Sequence, residues 1–339
     1  MMMRPQNFRF FHDQLPDWCS RAFYNAIEVG VRSRALDIIC PVAPELDACV
    51  SVLEYVYDDH PELFSFYPLK SRIICGTGVV RVKPFYRLSA EESCHREAEL
   101  DRAVGDILAT LFPVGWETCS ELEREKRIFD WFTENVVYDQ YAYEQTKDGR
   151  RLSGSMAWNA YGALVSRHAV CEGIACGFKL LCDRAGLPCI VVLGKAGSRH
   201  AWNIVRVLGR FYHVDCTWNL KTTLGRDIPY ARYRYFNLPD EIIEKNHVAE
   251  SQFLPRCGSL RFNPFKMRGL CVRNEEELLE RALAHARMGE RRFAFMCFDF
   301  APTEKLAGDC SKRVSAAFGG SDVTWYLEDT GVFIGFRAD

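Results

Sequence analysis

Apolar residues recur along this chain with periods that switch between helix and strand. Phe23, Ile27 and Val31 fall at helical spacing, and Leu36–Cys40 is a short apolar run stopped by Pro41. Glu45–Tyr57 predicts a second helix, which the segment 58–64 interrupts around Pro61. Arg72–Cys75 and Val79–Tyr86 predict a strand pair joined through Gly76 and Gly78. From about residue 91 the pattern is helical, and Glu121–Asn135 puts Leu122, Ile128, Trp131 and Phe132 on one stripe.

In the middle segment, 153–250, Ile174, Phe178, Leu181, Cys182 and Ala185 form the apolar face of a helix that opens at Cys171. Cys189–Leu193 reads as a strand, and Ala201–Val207 and Phe211–Cys216 as two strands turning around Gly209. Pro255–Arg268, basic and bearing Pro and Gly, reads as a linker. The tail then predicts helix Glu275–Met288, strand Arg292–Phe298, helix Thr303–Ala317 and two strands turning at Asp329-Thr-Gly331. This repeats the element order of the opening, with Cys40-Pro-Val-Ala-Pro44 and Cys297-Phe-Asp-Phe-Ala-Pro302 at equivalent points. The expectation is a core at 95–254 flanked by small α/β modules at 1–94 and 269–339, the second a copy of the first. Chance recurrence of a common arrangement is the alternative.

Length and composition narrow the class. At 339 residues, 48% of them hydrophobic, the chain suits two or three domains with real cores. Its 43 basic and 45 acidic residues are spread along the sequence, so no basic stripe marks a nucleic-acid surface. No apolar stretch is long enough to span a membrane. Fifteen cysteines is an odd count, with no signal peptide before them and no CxxC pair. Most of them read as buried thiols in a reducing cytoplasm, without a disulfide framework or a structural zinc site.

The chemistry concentrates in Ala169-Val-Cys171-Glu-Gly173, His200-Ala-Trp-Asn203 and His213-Val-Asp215-Cys-Thr-Trp218. Cys171 falls at a helix start, where amide N–H groups and the positive dipole end favour a thiolate. Gly173 keeps bulk out of the first turn, which would let a substrate chain approach. If Leu208-Gly209 are the central turn residues, Trp202 faces Asp215. His200 is then its diagonal neighbour on the same face, about 7–8 Å away at Cα. A carboxylate there can fix the imidazole tautomer and steady the imidazolium. His213 shares the face of Asp215, so spacing alone leaves it open as a rival to His200. Trp202 and Trp218 wall the site or fill the core. His168 reads as solvated, His60 shows no partner in sequence, and a metal site from such scattered histidines is not expected.

These residues resemble the transglutaminase-like superfamily of papain-related cysteine enzymes. The match rests on Ala163-Leu-Val-Ser-Arg-His-Ala-Val-Cys171-Glu-Gly173, on His200-Ala-Trp-Asn-Ile-Val205 and on Phe211-Tyr-His-Val-Asp-Cys-Thr-Trp218. Tyr235-Phe-Asn-Leu238 and the helix Glu123–Tyr138 extend it, to roughly residues 95–250. The resemblance implies an α+β fold, a papain/transglutaminase-like core in which the nucleophile helix packs on an antiparallel sheet. It implies Cys171 as nucleophile, His200 as general base and acid, and Asp215 as the orienting carboxylate. An oxyanion hole would pair the Cys171 N–H with a donor from Asn159-Ala-Tyr161-Gly, for which Tyr161 is the candidate. The substrate class is a peptide or protein amide, with no cofactor. Water as acceptor gives hydrolysis and a primary amine gives transfer. The rival readings are a non-catalytic scaffold on the same core, and acyl transfer to an arylamine. The latter family's Arg-Gly-Gly lead-in is absent, since Arg167-His-Ala-Val stands before the cysteine.

Overall fold

The computed structural model describes residues 8–76, 79–145, 155–220, 228–251, 253–327 and 332–338. Near the start, α1 (Phe10–Gln14), α2 (Trp18–Arg32), β1 (Ile38–Cys40), α3 (Leu46–Asp59), β2 (Arg72–Gly76) and β3 (Val79–Lys83) follow in turn. Helix α2 is capped by Asp17, whose carboxylate accepts from the Ser20 N–H. Its buried face, Phe23, Ile27 and Val31, packs with Cys40, Val52 and Val82. The strands lie in the order β1-β3-β2, all antiparallel. Gly78 of the expected hairpin lies outside the described residues.

The core follows with α4 (Ala90–Leu111), α5 (Glu121–Asn135), β4 (Val137–Tyr138), α6 (Gln140–Glu144), β5 (His168–Ala169) and α7 (Cys171–Arg184). Strands β6 (Cys189–Ala196), β7 (Ser198–Val207) and β8 (Arg210–Val214), helix α8 (Asp240–Ile243) and β9 (Val248–Ala249) complete it. The sheet order is β8-β7-β6-β9, antiparallel throughout. One face of β7, with Ala201 and Val205, packs on α7 residues such as Ile174 and Phe178. The other, with Trp202 and Ile204, meets Phe10, Phe11 and Cys257. This α+β arrangement of helix on antiparallel sheet is the architecture expected.

Helix α7 departs from the expected single apolar face, because every residue from Cys171 to Asp183 is buried. Its one buried lysine is satisfied internally. Lys179 Nζ donates to Phe8 O at 2.9 Å, Asp183 Oδ2 at 2.8 Å and Cys189 O at 2.8 Å, one acceptor for each ammonium proton. A buried ammonium without such partners would be expensive. Lys179 therefore ties the start of the chain to the middle of the nucleophile helix.

The stretch expected to be a linker is folded into the core. Cys257, Asn263 and Phe265 are fully buried, and α9 (Pro264–Met267) starts from an Asn263 cap. Asn263 Nδ2 also donates to Phe236 O at 2.7 Å. The tail comprises β10 (Cys271–Val272), α10 (Glu275–Arg287), β11 (Arg292–Cys297), α11 (Glu304–Ala317), β12 (Val323–Leu327) and β13 (Phe333–Ala338). Its sheet runs β10-β11-β13-β12, with β10 parallel to β11 and the other pairs antiparallel. In both end units the first strand between two helices pairs with the last strand of the following hairpin, and the tail adds β10. The turn at Asp329-Thr-Gly331 lies outside the described residues. The tail's core also takes in Tyr235, Leu238, Ile242 and Ile243 from the middle of the chain.

Candidate functional site

The hairpin of β7 and β8 has the register that brings the chemistry together. Leu208 and Gly209 both take positive φ, 48° and 77°, as a two-residue turn of the primed type needs. Val207 pairs with Arg210 and Asn203 with Val214, which carries Asp215 to the level of Trp202. His200 Nε2 lies 2.7 Å from Asp215 Oδ2. An ionised carboxylate only accepts, so Nε2 carries the proton and Nδ1 is left for the thiol. Cys171, at the start of α7, lies near enough to His200 to help raise its imidazole.

Electrostatics follow from this geometry. Burial alone would strip the proton from His200. The charge of Asp215, its hydrogen bond and the Cys171 thiol outweigh burial and push the imidazole up to about 10. For Asp215, burial disfavours the carboxylate. The His200 charge and hydrogen bonds from His200 and His247 reverse this and hold it well below the usual carboxylate range. Its other oxygen, Oδ1, accepts from the Trp218 N–H at 3.1 Å. The Asp215 N–H donates to Tyr235 O, and His213 exchanges both backbone hydrogen bonds with Leu238, so residues 235–238 form a strut behind the acid.

Aromatic rings close the site. Trp202 stacks on His200 at 6.2 Å and 16°, and Trp218 stands 5.8 Å away. Tyr138, on β4, is raised by burial and by the nearby charges of Cys171 and Asp215, so its phenol stays protonated beside the thiol. His213 is held elsewhere. Trp202 Nε1 donates to its Nδ1 at 3.0 Å, and its Nε2 lies 2.9 Å from Asp240 Oδ1. His168 is exposed, with Nδ1 on Ser166 O. His60 is buried among Glu28, Arg32 and Glu62 in the opening unit.

Two expectations need correction. Tyr161 does not join the thiol: its hydroxyl donates to Glu99 Oε2 at 2.7 Å and its N–H to Asn159 Oδ1 at 3.0 Å. Both of its donors are thus committed within the fold, the first to α4. Gly173 makes room for the chain itself, not for a substrate. A Cβ there would stand 2.3 Å from Ala157 O and 3.0 Å from Asn159 O.

The sequence also hid His247, whose Nε2 lies 3.1 Å from Asp215 Oδ2. It follows the acid by 32 residues, in a short irregular stretch where no period or motif marks it. Histidines scattered in sequence are therefore gathered in space. Potential ligand atoms of His200, Asp215 and His247 lie within 4.8 Å of one another, as do those of His213, Asp240 and Cys257. In each set the imidazole nitrogen facing the carboxylate already bonds to it, which fits a hydrogen-bonded network better than a coordination sphere.

Comparison with known proteins adds to this geometry. Residues 114–216 match the family model of the transglutaminase-like superfamily, a span that encloses Cys171, His200 and Asp215 and stops short of His247. The chain is similar to kyphoscoliosis peptidase of Homo sapiens and of Mus musculus, 31% identical over 132 residues in each case. That covers 35% of this chain and 18% of each relative, so the match spans less than a fifth of their length. A crystal structure of a TGase is similar over 56% of this chain and 52% of its own, with 14% identity and a TM-score of 0.33.

Proposed function

With residues 114–216 belonging to the transglutaminase-like superfamily, we propose that the chain is a cysteine-dependent enzyme that cleaves or transfers peptide or protein amide bonds through a Cys171–His200–Asp215 triad. One observation carries the reading most: a fully buried carboxylate holds the imidazole of His200 at 2.7 Å, near the thiol at a helix start.

The Cys171 thiolate attacks the amide carbonyl carbon, forming a C–S bond while the carbonyl electrons move to oxygen. The Cys171 N–H, at the first turn of α7, receives that oxyanion. As the C–N bond breaks, imidazolium His200 gives its proton to the leaving amine. Neutral His200 then takes a proton from the acceptor, whose oxygen or nitrogen attacks the thioester, and the C–S bond breaks to restore the thiolate. Water yields an acid, and a primary amine yields a new amide. Asp215 keeps His200 in one tautomer throughout and stabilises its charged form. Fifteen free thiols fit a reducing compartment, and no described helix is long and apolar enough to cross a membrane.

A peptide-based electrophilic activity probe tests the reading. Labelling of the folded wild type that disappears in Cys171→Ala is expected. A folded wild type that takes no label would favour a non-catalytic scaffold instead.

A further inference from the structure

Asp215 carries two histidines on one oxygen: His200 Nε2 at 2.7 Å and His247 Nε2 at 3.1 Å both point to Oδ2. With Trp218 N–H on Oδ1 at 3.1 Å, three chain segments donate to a carboxylate that is 0% exposed. We propose that His247 is a positioning residue that fixes the Asp215 carboxylate against His200 and seals it from water. The inference rests on the triad reading and deepens it.

The second histidine is itself braced. The His247 N–H donates to Ile243 O at 2.9 Å, following α8. Its ring lies 5.0 Å from Trp202, 5.0 Å from Trp218 and 5.6 Å from Tyr235. Its Nδ1 donates to Asn246 Oδ1 at 2.5 Å, and Asn246 Nδ2 donates to the Tyr235 hydroxyl at 2.9 Å. Tyr235 O in turn receives the Asp215 N–H, so the brace closes on the acid it serves. A ring fixed at this many points has little freedom left to lose when it bonds, which makes it an effective second donor.

His247 also lines a cavity of about 540 Å³, with Trp202, His213, Asp240 and Glu244, whose lining includes neither His200 nor Asp215. His247 and Trp202 thus separate this space from the triad. Without the imidazole, water in the cavity could reach Asp215 and compete for Oδ2. A looser, hydrated carboxylate holds the His200 imidazolium less well. The other ionisable groups facing the pair are Cys171 from α7, Tyr138 from β4, and Tyr235 and Cys216 from the segments around the acid. None of them donates to Oδ2.

The test is the pH dependence of kcat and KM for a small peptide amide, measured on the full chain. It is run beside Cys171 alkylation by iodoacetamide, read by mass spectrometry. In His247→Leu the alkaline limb of the kcat profile should move down by about one pH unit or more, because His200 gives up its proton sooner. The kcat should fall about ten- to a hundredfold, as for a lost hydrogen bond to a charged group, with KM nearly unchanged. His247→Gln, which keeps a donor, should recover most of both. A folded Leu variant with the wild-type profile, or a Gln variant no better than Leu, would overturn the proposal. If Leu prevents folding, proton NMR of wild type with 15N-labelled histidine decides. A protected His247 Nε2–H is expected, and a freely exchanging one would overturn the role. Slow Cys171 alkylation in the wild type would instead remove the triad reading beneath it.

Discussion

Glu125→Gln tests the strut that holds Asp215 from behind. Glu125 sits fully buried on α5, and its Oε2 accepts from Asn237 Nδ2 at 2.8 Å. Asn237 lies in the 235–238 segment, whose backbone bonds His213 and Asp215. Burial pushes the Glu125 carboxyl from 4.5 up to about 8, with the Asn237 hydrogen bond pulling back and the Glu121 charge adding. The folded state therefore keeps a proton that the unfolded chain releases. Below pH 4.5 both states are protonated and the site costs nothing. Between 4.5 and 8 stability falls by about 1.4 kcal/mol per pH unit. By pH 8 the loss is on the order of 4–5 kcal/mol, large beside a typical folding free energy of about 5–15 kcal/mol. Glutamine is neutral at every pH, and its amide offers a donor where Asn237 Oδ1 now has no partner. Thermal melts at pH 5 and pH 9 should show the variant close to wild type in acid and several degrees more stable in alkali. A difference that does not change with pH, or a variant less stable at pH 9, would refute the reasoning.

The remaining predictions follow from the site and its surroundings. Gly173→Ala sets a Cβ 2.3 Å from Ala157 O, so the 157–159 segment must shift. A loss of about 1–3 kcal/mol, typical of overpacking, should appear in thermal melts together with slower acylation of Cys171. With His200 raised to about 10, its proton is held below that value, so amide turnover should fall as pH rises through about 10. In Asp215→Asn the limb should move down by at least a unit, because burial remains while the opposing charge is gone. A pH–rate profile unchanged by that substitution would count against the pair. Deleting 270–339 exposes Tyr235 and Leu238, which pack in the tail's core and strap Asp215 and His213. Activity toward small and large substrates should fall together, and survival of small-substrate turnover would show that the tail only positions large ones.

The parts of the site written in local pattern were legible from sequence. Alternation along 201–207 and 211–216, with Gly209 between, marked a hairpin but left its turn residues open, and the structure puts Leu208 and Gly209 at the turn, the register that brings His200 to Asp215. Cys171 at a helix start was legible from the apolar period that follows it. What failed depended on distant partners. Tyr161 binds Glu99, 62 residues earlier, and nothing near Tyr161 announces it. His247 acts from an irregular turn that has no period. Pro255–Arg268 read as a linker because it is basic and bears Pro and Gly, yet Cys257, Phe262 and Phe265 bury at spacings that fit neither helix nor strand. Gly173 was rightly singled out for close approach, although the approaching group is Ala157 O. The face of α7 that looked polar is covered because Lys179 finds Phe8 O, 171 residues away in sequence.

The central claim is that Cys171 becomes acylated, and trapping that intermediate tests it most directly. A small activated peptide ester would be mixed with the full chain, quenched in acid within the first turnovers and digested for mass spectrometry. The account predicts an acyl mass on the peptide containing Cys171, absent in Cys171→Ala and strongly reduced in His200→Ala. Turnover without that adduct, or an adduct on any of the other fourteen cysteines that persists in Cys171→Ala, would contradict it.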